Sequence, residues 1–271
     1  MKAEAGQRTR NLKGRLPFRV GTTSYILPDD LVPNVAYLAG QVDDVELVLF
    51  ESDEVSNLPE ASVIETLAAL ADEHDLTYTV HLPLDAELGS GDESVRLRSV
   101  EKCRKVIGLT RTLRPFGYLL HLQGRRLGRE PADDLKSWTA ALEESILQLL
   151  DDGLSPDALC VETLAYPYEY VWDLVQRRGL AVCLDIGHIL MGGYDLPAYL
   201  QQYLPRCRVV HLHGIRDGRD HRDIGGLADP VLTSVWNALR SAAGQRQRVL
   251  TLEIFSQDDL SRSMDILRDL I

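Results

Sequence analysis

The sequence is poor in cysteine and lacks an excess of basic charge. Its four cysteines, Cys103, Cys160, Cys183 and Cys207, show no CxxC spacing, and three of them lie in apolar runs typical of strands. We therefore expect buried free thiols rather than a structural cysteine zinc site. Lys and Arg number 29 against 41 Asp and Glu, and the net charge of −12 disfavours a protein that binds nucleic acid through its phosphates.

Long apolar segments are absent as well. No run reaches the roughly 18 uninterrupted apolar residues of a membrane span. Residues 1–17 are polar and mildly basic, without the apolar centre of a secretion signal. We therefore expect a soluble cytoplasmic protein that does not bind membranes, with residues 1–17 as a flexible N-terminal tail. The sequence indicates no oligomeric state.

Short apolar runs alternate with longer amphipathic ones along the rest of the chain. The runs typical of strands are 18–24, 45–50, 77–82, 117–122, 158–162, 181–185, 208–213 and 249–255. The clearest helical patterns are 59–74, 92–113, 132–151, 168–178, 230–243 and 258–270. This alternation predicts a single (β/α)8 TIM barrel over residues 18–271. An open doubly wound sheet is the alternative, but it would not easily bring all the strand ends together.

Ionisable residues recur at the C-terminal ends of the strand-like runs. Six of the seven histidines lie there or a few residues later, three carboxylates hold matching positions, and His74 alone falls inside a helical pattern. The set comprises His81, His121, Glu162, Asp185, His188, His211, His213, His221 and Glu253. Buried strands rarely carry such groups unless the groups are paired or bind metal. In a barrel, these strand ends meet at one mouth.

Imidazoles and carboxylates without thiolates favour Zn, Mn, Fe or Co. The set is too large for one ion, so we predict two or three divalent ions that share ligands. Neighbouring ions roughly 3.5–4 Å apart are suited to phosphoester displacement. Asp185 and His188 can serve two neighbouring ions. His213 shares a strand with His211 and is therefore a weaker candidate for a metal ligand; it can instead support a ligand through a hydrogen bond.

Other polar residues flank this set. Glu46 and Glu51 border the second strand, where either residue binds substrate or pairs with a basic side chain. Arg219, Asp220 and His221 lie in a Gly-rich segment, either as solvated loop residues or as ligands and catalytic groups.

Aromatic residues follow two of the strands. Tyr166, Tyr168, Tyr170 and Trp172 come after the fifth strand, and Tyr194 comes after the sixth. These rings form either an apolar wall for a large flat ligand or aromatic caps on the neighbouring helices.

The ligand set resembles that of the xylose-isomerase-like barrel superfamily, which contains endonuclease IV-type phosphodiesterases and sugar epimerases. The resemblance extends from Phe18 to the end of the chain. In the endonuclease branch, the Glu162 position bridges two ions. The ligand positions beside it are His81 and His121 for one ion, and Asp185, His211 and Glu253 for the other.

The same resemblance implies a third ion at the positions of His188 and His221. Its remaining ligand is an aspartate two residues before that last histidine. Here Arg219 occupies that position and the aspartate is the adjacent Asp220, which departs from the pattern.

The epimerase branch uses a smaller set around one ion, and its two glutamates exchange protons with the substrate. The corresponding residues are Glu162, Asp185, His211 and Glu253. The additional imidazoles of His81, His121 and His188 favour phosphoester chemistry.

Residues 21–52, GTTSYILPDDLVPNVAYLAGQVDDVELVLFES, are similar to the cobamide-remodelling phosphodiesterase family (CbiR). This resemblance implies hydrolysis of the nucleotide loop of cobamides such as cobalamin to cobinamide phosphate and an α-riboside. The alternatives are a one-ion sugar or cyclitol isomerase or epimerase, and a corrinoid-binding protein without activity.

Under the phosphodiesterase hypothesis, the predicted residues fall into three roles. The catalytic residues are Glu162, Asp220 and His221. The substrate-binding residues are Arg219, Tyr166, Tyr194 and Glu46. The metal ligands are His81, His121, Glu162, Asp185, His188, His211, Glu253 and His221.

Overall fold

The computed structural model describes residues 11–52 and 54–271, in which strands and helices alternate. The strands are β1 (Arg19–Thr23), β2 (Asp44–Val48), β3 (Thr77–His81), β4 (Gly117–Leu120), β5 (Leu159–Glu162), β6 (Ala181–Asp185), β7 (Cys207–Leu212), β8 (Gly214–Arg216), β9 (Arg219–Arg222) and β10 (Val249–Leu252). The helices are α1 (Leu31–Leu38), α2 (Ala61–His74), α3 (Glu93–Thr110), α4 (Leu135–Leu150), α5 (Glu169–Arg178), α6 (Ile186–Met191), α7 (Leu196–Tyr203), α8 (Asp229–Ser241) and α9 (Gln257–Leu270).

Eight of these strands close into a parallel barrel in the order β1-β10-β7-β6-β5-β4-β3-β2. The helices connect successive strands and cover the outside of the barrel, so the predicted single (β/α)8 barrel is confirmed. The strands β8 and β9 pair with each other in a separate antiparallel hairpin between β7 and α8.

Polar side chains at the first turns fix where several helices begin. Asp92 accepts a hydrogen bond from the Ser94 N–H at the start of α3, and Asp134 accepts from the Lys136 N–H at the start of α4. Such caps satisfy backbone donors that lack a partner within the helix. The apolar stripe of each helix then packs on the barrel; in α2, for example, Ile64 and Leu67 are buried.

The interior of the barrel is divided into an apolar half and a polar half. The apolar half is a cluster of buried side chains from β4 to β7, namely Leu119, Cys160, Ala181, Cys183 and Val209. On the opposite side, the buried carboxylates of Asp44 and Glu46 lie two residues apart on β2 and therefore share a face. Asp44 accepts hydrogen bonds from the hydroxyls of Thr77 (2.6 Å) and Thr79 (2.8 Å) on the neighbouring strand.

The packed part of the chain begins earlier than the sequence predicts. Residues 1–10 of the predicted tail lie outside the described residues. In residues 11–17, however, the Leu12 side chain is buried and its N–H donates to the Gln41 carbonyl at 3.0 Å. The Gly14 N–H donates to Asp43 Oδ1 at 2.8 Å. A buried leucine and a carboxylate acceptor thus hold this segment, and it is not a free tail.

The helices α1, α6 and α7 and the β8–β9 hairpin are not among the elements that we identified from the sequence. Each of these helices has eight residues or fewer, too short for a helical period to stand out. Several observed strands are also shorter than the predicted runs. The last residues of three of these runs, Phe50, Leu122 and Phe255, lie in the loops that follow β2, β4 and β10.

The stability of the barrel should fall as the pH rises through neutrality because of Asp44. Burial raises the pKa of Asp44 to about 7, against the opposing effect of its hydrogen bonds from Thr77 and Thr79. The folded protein therefore keeps a proton that the unfolded chain has lost above about pH 4, and this stabilisation disappears as the pH passes 7. We predict that Asp44→Asn removes this dependence.

Urea unfolding at pH 5 and pH 8 measures the effect. At each pH we take the free energy of unfolding of the variant minus that of the wild type. This difference should increase by about 2–3 kcal/mol from pH 5 to pH 8, because only the wild type loses stability. A relative stability that is the same at both values would contradict a neutral, buried Asp44.

Candidate metal centre

The predicted ligands converge at the C-terminal mouth of the barrel. Each barrel strand from β3 to β7, and β10, carries one or two of them on its last residues or immediately after it. They are His81, His121, Glu162, Asp185, His211, His213 and Glu253, joined by His188 from α6 and His221 from β9.

Glu162 lies at the centre of this set and is buried. Its Oε2 atom is 3.1 Å from His121 Nε2 and 3.4 Å from His81 Nε2. Its Oε1 atom is 3.3 Å from His188 Nδ1 and 3.7 Å from His211 Nδ1. Burial would raise the pKa of Glu162, but the charges on His121 and His211 hold it well below its usual range. The ionised carboxylate can therefore serve two sides of the site, through Oε2 on the side of His81 and His121 and through Oε1 on the side of His188 and His211.

The first ligand group consists of His81, His121 and Glu162, whose ligand atoms lie within 4.8 Å of one another. His81 Nδ1 is 2.8 Å from the Leu82 carbonyl oxygen. A carbonyl only accepts hydrogen bonds, so Nδ1 carries a proton and Nε2 is the nitrogen directed at the group.

The second ligand group consists of Glu162, Asp185, His211 and Glu253. His211 Nδ1 and Glu253 Oε2 are 3.1 Å apart, yet within the described part of the chain both atoms are buried without a hydrogen-bond partner. Buried polar atoms are normally satisfied. Two such atoms that converge with further carboxylate oxygens fit a shared divalent cation.

The third ligand group consists of His188, Asp220 and His221. Asp220 Oδ1 is 3.0 Å from His221 Nδ1. His221 has a φ of 53°, in the left-handed region, so the regular alternation of β9 is broken at this residue. The structure thus brings Asp220 into the group although it is shifted by one position. Arg219 lies outside the three groups and lines a surface pocket with other arginines of the hairpin.

His213 is hydrogen-bonded through both ring nitrogens. The His221 N–H donates to His213 Nδ1 at 3.0 Å, so Nε2 carries the proton and donates to Asp185 Oδ1 at 3.2 Å. This arrangement orients Asp185, and His213 also lies with His221 and Glu253 in a further possible ligand group. The ring packs directly on Gly187, where a Cβ atom would lie 2.0 Å from His213 Cε1.

Glu46 lies behind His211, inside the barrel. Its Oε2 is 2.9 Å from His211 Nε2, and its side chain has no exposure to the mouth. The contact turns the other nitrogen of His211, Nδ1, toward the second ligand group. Glu51 is positioned differently: its carboxylate pairs with Lys105 near the surface.

The carboxylates give the centre a strong preference for cations. Burial would lower the pKa values of the imidazoles, but Asp185 and Glu162 raise the pKa of His188 to about 10. Glu253 and Asp220 likewise raise the pKa of His221 to about 9. Divalent cations that bind here must displace these protons.

The aromatic residues after β5 do not form an open wall. Tyr166 is buried, donates its hydroxyl to the Leu122 carbonyl at 2.7 Å and packs edge-on against Trp138. Tyr168 is buried against Tyr203 of α7. These rings point between the helices because burial against other apolar side chains stabilises them there. Their position in the sequence, just after a strand end, does not set their direction. Tyr194 is half-buried, and its hydroxyl donates to the Ala165 carbonyl at 2.7 Å.

Three other rings, which the sequence analysis missed, do line an open pocket at the mouth. Tyr25, Phe50 and Phe255 follow β1, β2 and β10 by two or three residues. This regular placement just beyond strand ends is the signal that would have identified them.

Several known proteins are similar to this chain. A probable endonuclease 4 of Streptomyces avermitilis is 29% identical over 179 residues, 56% of this chain and 56% of that protein. The chain spans about half the length of the curated relatives that it matches.

Among solved structures, a D-tagatose 3-epimerase-like protein superposes with a TM-score of 0.73 at 21% identity, covering 93% of this chain and 96% of the other. Endonuclease IV from Thermus thermophilus superposes with a TM-score of 0.66 at 19% identity, covering 93% of this chain and 98% of the other. At such identities these likenesses show the fold alone.

No helix in residues 11–52 and 54–271 is long and apolar enough to cross a membrane.

The sequence model of the family described as Xylose isomerase-like TIM barrel matches residues 38–270. Because this match covers most of the sequence and the structure is a closed eight-stranded barrel, the chain belongs to the xylose isomerase-like TIM barrel family.

Proposed function

We propose that this protein is a metal-dependent phosphodiesterase that hydrolyses the nucleotide loop of cobamides. The observation that carries the proposal is that the overlapping ligand groups at the mouth include two that share Glu162 and a further one formed by His188, Asp220 and His221. A one-ion epimerase would use only the group of Glu162, Asp185, His211 and Glu253. The names of the endonuclease relatives also support phosphoester chemistry.

The cobamide substrate is supported by the similarity of residues 21–52 to the cobamide-remodelling family. The net charge of −12 disfavours DNA, the substrate that the endonuclease name implies. Hydrolysis forms a bond between a water oxygen and phosphorus and breaks the bond from phosphorus to the ribose oxygen. The products are cobinamide phosphate and an α-riboside.

The side chains of the centre divide this chemistry among them. Ions bound by the three groups would supply the Lewis acidity that activates water and neutralises charge on the phosphate. Glu162 holds the first two groups in register, while Asp185, His211 and Glu253 complete the second. His188, Asp220 and His221 would hold an ion that stabilises the departing ribose oxygen, and the proton that this oxygen takes up comes from the attacking water. Arg219, which is exposed on the same hairpin beside other arginines, would attract the anionic substrate toward the mouth.

A one-ion isomerase or epimerase is the second candidate. The group of Glu162, Asp185, His211 and Glu253 favours it, as does the likeness of the fold to a D-tagatose 3-epimerase-like protein. In that function the two glutamates would exchange protons with a sugar. The contacts of His81, His121 and His188 with Glu162 would then have no catalytic purpose.

The two functions predict different products. We expect metal-replete protein to convert adenosylcobalamin to cobinamide phosphate and an α-riboside, both detected by mass spectrometry, and to leave a ketohexose unchanged. Glu162→Gln should lower the rate by at least about 100-fold, because the bridge between two ion sites loses its charge. An unchanged cobamide together with an epimerised sugar would contradict the proposal.

Removal of a third-group ligand should affect one ion. We predict that Asp220→Asn and His221→Ala each lose one bound ion by elemental analysis, whereas Arg219→Ala retains the full number. Activity of His221→Ala should fall by about 100-fold or more, since the ion of the third group is lost. Full metal content in both ligand variants would show that these residues hold no ion.

Glu46 should set the metal affinity of the second group through His211. We predict that Glu46→Ala weakens binding by about 10–100-fold, the usual effect of removing the carboxylate behind a ligating histidine. Chelator competition measures the affinity. The matched control is Glu51→Gln. Glu51 lies just beyond the same strand, but its carboxylate pairs with Lys105 and not with a histidine. Equal affinities in Glu46→Ala and the wild type would exclude this role.

A further inference from the structure

An open pocket of about 710 Å³ lies on the mouth beside the third ligand group. It is built by the segments that follow β1, β2 and β10, which are neighbours in the barrel. The rings of Tyr25, Phe50 and Phe255 line it, and Ser256, Gln257 and Asp258 add polar atoms. None of these residues was assigned a role by the sequence.

The pocket is continuous with the ligand groups through Phe255. The Phe255 ring lies edge-on to the His221 ring, with centroids 5.3 Å apart and an interplanar angle of 70°. Phe255 is 44% exposed, although a phenylalanine ring gains from burial. An exposed ring in contact with a candidate catalytic imidazole is therefore placed to meet a bound molecule rather than to stabilise the fold.

The other two rings form the far side of the pocket. Tyr25 and Phe50 lie with centroids 6.1 Å apart at an interplanar angle of 52°. The Asn57 amide, which donates to the Tyr25 hydroxyl, fixes the tyrosine. Asn57 also accepts a hydrogen bond from the Phe50 N–H at 2.6 Å, so a single side chain holds both aromatic residues in place.

We propose that this pocket binds the planar heteroaromatic base of the riboside that leaves during hydrolysis, and so selects among cobamides by their lower ligand. The inference rests on the proposed function. The rings of Tyr25, Phe50 and Phe255 surround a space suited to one flat base, and Phe255 places that space beside the third ligand group. Aromatic rings bind flat bases by stacking. The polar atoms of Gln257 and Asp258 at the rim suit the ribose hydroxyls.

The test compares binding of the two products to metal-loaded protein by isothermal titration calorimetry. The probes are the riboside of 5,6-dimethylbenzimidazole and cobinamide phosphate. We expect Phe255→Ala to bind the riboside at least about tenfold more weakly and to bind cobinamide phosphate as the wild type does. Phe255→Tyr, which keeps a flat ring, should restore riboside binding. Elemental analysis of each variant confirms that the nearby Glu253 still holds metal.

The matched control is Leu97→Ala, which removes an exposed apolar side chain from α3, outside the pocket. Riboside binding should be unchanged in it. Weaker binding of cobinamide phosphate alone in Phe255→Ala would place the corrin in the pocket and overturn the inference, as would unchanged binding of both products.

The inference and the proposed function fail separately. If the wild type hydrolyses adenosylcobalamin but Phe255→Ala leaves riboside binding and KM unchanged, the base lies elsewhere and the inference falls alone. If the wild type hydrolyses no cobamide but binds the riboside through Phe255, the pocket assignment stands and the phosphodiesterase proposal falls.

Discussion

The buried Glu162 carboxylate contacts imidazoles from four separate elements, namely β3, the end of β4, α6 and β7. A buried carboxylate costs several kcal/mol unless it is paired, so these contacts are a condition of its position. The curvature of the closed barrel brings those four elements around one strand end. The barrel closure and the candidate metal centre therefore depend on each other, and the proposed chemistry follows from the shared carboxylate.

A layer of supporting residues holds the ligands from behind. Glu46 fixes His211 from inside the barrel, and His213 fixes Asp185 while accepting a hydrogen bond from the His221 backbone. The same His213 ring thereby connects the second ligand group to the β8–β9 hairpin. Arg216 of β8 pairs with Asp223 at 3.1 Å, which anchors the hairpin further. This support explains why the Glu46 carboxylate is buried inside the barrel.

The sequence predicts the barrel and the ligand set because both follow from local patterns. Apolar runs end in ionisable residues, and parallel strands bring their ends to one mouth. The directions of Tyr166 and Tyr168 are not local, since packing against Trp138 and α7 turns these rings away from solvent. Asp220 joins its group beside a left-handed residue, His221, and Leu12 is held by a hydrogen bond from its N–H to the distant Gln41 carbonyl. Such features require the folded structure.

The most direct test of the central claim is anomalous diffraction from crystals of metal-replete protein, recorded at the absorption edge of the bound metal. We expect three peaks, one at each of the three ligand groups, with Glu162 between two of them. A single peak among Glu162, Asp185, His211 and Glu253, with His81, His121 and His188 bound to no ion, would contradict the account and favour the one-ion isomerase or epimerase.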